Sequence, residues 1–137
     1  MIVFNKEIIF DFVNEEFLIN WIGQIIVNEV YTEGELNFVF CSDASLLKKN
    51  IEFLHHDTLT DIISFDYTLG KLVSGDIFIS IDRVKENAKL FKVSFDDELH
   101  RVMVHGILHY CGYKDKDKVD KELMRSKEDY YLSLRQF

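Results

Sequence analysis

Two histidines four residues apart, in the segment HGILHYCGYKD at residues 105–115, are the first feature of this chain with clear chemical potential. On an α-helix that spacing leaves them about 40° apart around the axis, so His105 and His109 share a face and both imidazoles can reach one ion. A catalytic site built on such a pair needs a third protein ligand and a position left for water. The other histidines do not provide it. His100 lies about 140° and about 180° around the helix from the pair, and Cys111 about 160° from His109. His55 and His56 fall near the end of another expected helix. Gly112 is suited to end the histidine helix and turn the chain. Asp115 then lies where its carboxylate can swing back over the last helical turn, with Asp117 as a near competitor. The residues alone also allow a histidine pair satisfied in a polar core or lining a dry pocket.

A dication held by three protein groups brings a bound water towards neutral pKa and polarises a phosphoryl or carbonyl oxygen. Metal-bound water is therefore the expected nucleophile of a hydrolase, although RNA also carries its own 2′-OH. Peptidases of this helix type use H-E-x-x-H, with the glutamate as base. Here Gly106 follows His105 and offers no side chain, which counts against a peptidase. Phosphodiester cleavage has a more anionic transition state and gains from positive side chains. Arg101, one helical turn before His105, is the first candidate substrate contact; its competing role is an ion pair with Asp97 or Asp96. Lys71, Lys48 and Lys49 are further phosphate candidates. Ser64 is a candidate for the border of the cleft, and Glu98 for an acceptor of an imidazole N–H.

These residues need elements to position them. Ser94, followed by Asp96 and Asp97, is a good helix start, because acidic groups favour the positive end of a helix dipole. From there to Cys111 the pattern is apolar on most sides, which places that helix inside the fold. A strand is expected around Glu7 to Phe10, then a helix over 15–29 capped by Asn14. A strand follows around Leu36 to Cys41, and a helix over 44–54. DIISFDY (61–67) and GDIFISID (75–82) read as an antiparallel strand pair. A short helix over 83–92 and a charged helix over 119–134 complete the set. The expected class is α+β, a small mixed sheet of about four strands packed with about five helices, in one domain over 1–137.

The chain is 137 residues long, 47% hydrophobic and 29% charged, so it is too apolar to be disordered. Its formal net charge of −8 argues against an extended basic surface for nucleic acid. A nucleic-acid role would need a local positive patch, a bound cation or a partner. Cys41 and Cys111 are well separated and expected to be reduced. Neither a signal-peptide pattern nor a long apolar run is present, and the expected location is the cytoplasm.

Three segments resemble the signatures of the YbeY family, in the family's order. His105, Gly106, Leu108, His109, Gly112 and Tyr113 match H-G-x-L-H-x-x-G-Y-D-H. The stretch Asp57 to Phe65 is similar to D-x-x-T-D-V-L-S-F, and Gly75-Asp76 before an apolar strand matches a third motif. The resemblance implies a single-strand-specific, metal-dependent endoribonuclease of ribosomal RNA maturation (16S 3′ end) and ribosome quality control. It implies one divalent ion, with zinc expected, and ribosomal RNA and the small ribosomal subunit as partners. The ligands carried over are His105, His109 and, in place of the family's third histidine, Asp115. Lys114 stands where the family has an aspartate, and Leu54 where it often has an arginine. A carboxylate for an imidazole makes the site harder and more anionic. The rival readings are a non-catalytic, metal-stabilised ribosome assembly factor and, last, a metallopeptidase.

Overall fold

The computed structural model describes residues 1–137 throughout. The elements run β1 (Ile2–Lys6), α1 (Glu15–Asn28), β2 (Thr32–Cys41), α2 (Asp43–Leu54), β3 (Ile62–Asp66), β4 (Leu72–Ser80), α3 (Ile81–Phe91), α4 (Phe95–Tyr110) and α5 (Lys118–Ser133). The four strands form one mixed sheet in the order β1-β2-β4-β3. The β1–β2 and β2–β4 pairs are parallel, and β3 runs antiparallel to β4. The α+β class, five helices and a four-stranded mixed sheet agree with the sequence pattern.

The first strand is a correction. Expected around Glu7 to Phe10, it occupies Ile2–Lys6 instead, in register from Ile2 opposite Leu36 to Lys6 opposite Phe40. Residues 8–12 leave the sheet, and Phe10 and Phe12 fold back to pack their rings on Phe40. Apolar content there reflects loop packing on the core, which mimics a strand in the sequence. Asn14 precedes α1, but it sits at φ 61° and makes no side-chain cap. Backbone bonding and the acidic Glu15 and Glu16 serve that helix start instead.

Strand β4 alternates in the way a half-buried strand must, with Val73, Ile77 and Ile79 fully buried. Helix α4 lies over this face. Leu99, Val102, Met103, Val104, Ile107 and Leu108 are all buried, so the helix is apolar on most sides as its sequence suggests. Ser94 caps it by accepting from the Asp97 amide at 3.0 Å.

Two glycines set how close α4 sits to the sheet. A Cβ at Gly106 would lie 3.0 Å from Ile62 Cδ1 and 3.2 Å from Ile77 Cδ1, so any side chain there would press on both isoleucines and the glycine lets the helix sit close. A Cβ at Gly75 would lie 2.5 Å from the Tyr110 hydroxyl oxygen. That hydroxyl shares its one proton between the carbonyls of Phe65, at 2.9 Å, and Asp76, at 3.2 Å. The last turn of α4, which carries His109, is thereby pinned to β3 and β4.

Candidate metal centre

The histidine helix ends at Tyr110, and Gly112 takes φ 93°, a left-handed conformation open to glycine, to reverse the chain. The return places Asp115 against the two histidines. Its Oδ2 is 3.2 Å from His105 Nε2 and 3.3 Å from His109 Nε2, and the two Nε2 atoms are 3.0 Å apart. An ion bound at 2.0–2.1 Å with tetrahedral angles requires donors about 3.3 Å apart. The three groups thus stand at the separations that one small dication demands.

The opposite ring nitrogens decide which atoms face the ion. His105 Nδ1 donates to Glu128 Oε2 at 2.6 Å, and His109 Nδ1 donates to the Tyr113 carbonyl at 2.9 Å. Both partners are acceptors, so both rings carry their proton on Nδ1 and present bare Nε2 lone pairs. Two lone pairs and a carboxylate oxygen then converge with no donor between them. Such an arrangement is repulsive unless a cation, or a proton, sits at its centre. These residues therefore fit a divalent ion. All three are partly buried, and they are the one His/Cys/Asp/Glu group in the protein so disposed.

Each outer partner is itself held. Glu128 lies on α5 and is 5% exposed. Its other oxygen accepts from Arg101 at 3.0 Å, and Arg101 also pairs with Asp129 at 2.7 Å. Tyr113 donates through its hydroxyl to Glu29 at 2.6 Å, and Tyr131 and Lys127 bond the same carboxylate. Burial works against the Glu29 charge, but these bonds together hold its pKa below the usual value. The end of α1, the turn after Gly112 and α5 are tied at this one carboxylate. Burial likewise pushes the His105 pKa down, yet the Glu128 hydrogen bond and charge, aided by Asp115 and Asp61, leave it raised.

The proposed ligands His105, His109 and Asp115 are brought together. Asp117, the competitor, instead caps α5 by accepting from the Asp120 amide at 2.8 Å. Arg101 is not paired with Asp96 or Asp97: its guanidinium is engaged by Glu128 and Asp129, so it braces the His105 partner. Glu98 is not the imidazole acceptor; Glu128 takes that role. Met124, Glu128 and Tyr131 are the buried positions of α5, at spacings of four and three. A lone carboxylate on the apolar stripe of a charged helix was the signal that marks Glu128.

Ser64 does border the cleft, sharing a cavity of about 440 Å³ with His109, Tyr113 and Lys114. Lys71 lies over the Tyr31 ring and Lys49 over Phe78, and neither these nor Lys48 line that cavity. His100 is buried and takes a bond from Arg135 at 2.8 Å, away from the ligand face. His55 and His56 are exposed beyond α2. Both cysteines are free and buried, and burial lifts their thiols to about 11 for Cys41 and about 12 for Cys111.

The family model described as "Endoribonuclease YbeY" matches residues 5–135. The chain belongs to the YbeY family. A YbeY relative from Flavobacterium johnsoniae, bearing the same endoribonuclease name, is 58% identical over 134 residues, 98% of this chain and 96% of the relative. A YbeY protein of Bacteroides thetaiotaomicron is 45% identical over 115 residues, 84% of each chain. A Thermotoga maritima protein, solved in solution, superposes with a TM-score of 0.68 at 25% identity, covering 97% of this chain and 87% of that one. YbeY membership thus spans the sheet, the histidine helix and α5 together. No helix here is long and apolar enough to cross a membrane.

Proposed function

We propose that this protein is an endoribonuclease that cuts single-stranded RNA at one divalent ion, with zinc expected, held by His105, His109 and Asp115. Its substrate in this reading is ribosomal RNA near the 16S 3′ end, met on the small ribosomal subunit in the cytoplasm. The observation that carries the proposal is the convergence of three proton-free donor atoms within 3.0–3.3 Å, each histidine locked in one tautomer from behind. Membership of the YbeY family, and the endoribonuclease name of its relatives, supply the bond class.

When bound, such an ion would supply Lewis acidity at a phosphoryl oxygen and lower the pKa of water for phosphodiester hydrolysis. The chain's own residues supply the rest. Glu128 and the Tyr113 carbonyl hold the imidazoles in the tautomer and orientation that ligation requires. Asp115 adds a negative charge, which the exposed Lys114 beside it offsets where an anionic phosphate must approach. Tyr110 anchors the last turn of α4 to the sheet, so that His109 faces the cleft bounded by Ser64.

Two observations favour catalysis over the rivals. The turn after Gly112 is already tied by Tyr113 to Glu29 and by the Asp117 cap, so it does not require an ion as a clamp. Gly106, where a peptidase of this helix type carries its glutamate, has no side chain to act as a base and packs closely against Ile62 and Ile77. The test is a time course on single-stranded RNA and on a peptide library, using metal-loaded, chelator-stripped and His105→Ala protein. Cleavage of RNA alone, abolished by stripping and by the substitution, is expected. Equal RNA cleavage by His105→Ala would remove the proposal.

A further inference from the structure

His105 also borders a second cavity, of about 290 Å³, that His109 does not reach. Glu98 of α4, Asp61 just before β3, Phe91 at the end of α3, and Arg101, Arg125 and Glu128 line it. Glu98 is the unusual member. The residue is 4% exposed, yet no hydrogen bond or ion pair satisfies its carboxylate. No fully buried side-chain nitrogen or oxygen in the protein lacks a partner, so the unbonded Glu98 oxygens retain some access to the open space of the cavity. Burial raises the Glu98 pKa, aided by the Asp61 charge and opposed by the Arg101 and Arg125 charges, while Asp61, also raised by burial, takes backbone amide hydrogen bonds of its own.

The lining says what kind of group belongs there. A phosphate would meet the Glu98, Asp61 and Glu128 carboxylates, while Arg101 is already spent on Glu128 and Asp129. A second metal ion is disfavoured, because Glu98 and Asp61 are not within ligating distance of a third donor and two guanidiniums face the same space. A neutral, flat group with N–H donors suits it. Phe91, 54% exposed, and the largely exposed Arg125 guanidinium offer stacking surfaces at the mouth. At about 30 Å³ per water, the space holds roughly ten waters, enough for one nucleobase. Among the four bases of RNA, guanine alone presents two adjacent donors, N1–H and N2–H, on its Watson–Crick edge, matching the two oxygens of a carboxylate.

We infer that this cavity is a guanine subsite, in which the Glu98 carboxylate reads the Watson–Crick edge of a base next to the scissile phosphate. It rests on the nuclease reading for its place in the reaction, but not for binding itself. Two measurements test it together. Metal-loaded protein is given four single-stranded RNAs that differ in the base beside the cut. Separately, the amide spectrum of metal-free protein is followed as guanosine or adenosine is added.

A bidentate base contact discriminates by about 5- to 150-fold. The wild type should favour guanine at one fixed position by that factor in kcat/KM, and Glu98→Gln should bring the four RNAs within about twofold. Guanosine, and not adenosine, should shift the amides of Asp61, Ile62 and Val102. Phe91→Ala, which alters an exposed ring, should weaken the guanosine shift and leave Glu98 in place. RNA cut without base preference, together with no guanosine shift, removes the subsite and leaves the nuclease reading standing. An unchanged guanine preference in Glu98→Gln also overturns it. A guanosine shift in a protein that cuts no RNA keeps the subsite and removes the nuclease reading.

Discussion

Replacing Glu128 by glutamine keeps the shape of the side chain and removes its charge. In the native protein one oxygen takes the His105 Nδ1 proton at 2.6 Å and the other takes Arg101 at 3.0 Å, in a residue 5% exposed. The glutamine carbonyl can still face His105, but its NH2 then points at Arg101, a donor against a donor. Arg101 retains Asp129 at 2.7 Å. Loss of a carboxylate behind a metal histidine costs about 10- to 100-fold in metal affinity, or about 1.4–2.7 kcal/mol. The metal-free fold should also lose about 1–3 kcal/mol, because a buried charge pair is broken from one side.

The pH dependence of that second loss has a defined sign. In metal-free protein the His105 pKa is raised against burial, chiefly by Glu128. Its contribution to stability is fully present below the ordinary histidine value of about 6.5 and disappears as pH rises through the raised one. The gap between wild type and Glu128→Gln should therefore be widest between about pH 5 and 6.5 and narrow at higher pH. Competition with a chromophoric zinc chelator gives the affinity, and urea unfolding of metal-free protein gives the stability. A variant that holds zinc as tightly as the wild type would refute the role assigned to Glu128.

Asp115→Ala should lose most bound metal on gel filtration while Asp115→His keeps it; elemental analysis of the two distinguishes a true third ligand from a bystander. His100 is held to about pH 4 by burial and by Arg135, so stability should be full above about pH 6.5 and fall by about 2–3 kcal/mol as pH drops towards 4. Urea midpoints across that range, flattened in His100→Gln, would show it. Gly75→Ala should cost about 1–3 kcal/mol, because its Cβ collides with the Tyr110 hydroxyl, and should lower metal affinity by tilting His109. Tyr110→Phe should cost about 1 kcal/mol through loss of the hydroxyl proton that the Phe65 and Asp76 carbonyls share, measured by thermal unfolding.

What the sequence by itself determined lies within a helical turn or two of each residue. The shared face of His105 and His109, the Ser94 cap, the reversal at Gly112 and the return of Asp115 all follow from local geometry, and each is present. Periodicity likewise located α2 to α5 and the β3–β4 pair to within a few residues. Tertiary structure decided whatever depends on distant partners. The first strand lies where it does because Ile2–Lys6 pairs with residues more than thirty positions away, while the apolar stretch after it packs as a loop. Arg101 and His105 meet Glu128 only because α5 crosses α4, across 27 and 23 residues. On α5, the stripe it shares with Met124 and Tyr131 marks Glu128 as inward-facing, but only the crossing of α4 gives it His105 and Arg101 as partners. The same crossing leaves Glu98 enclosed without a partner. Local spacing dictates which side chains share a face; only the docking of one helix on another determines which charge finds an opposite charge and which is left facing a cavity.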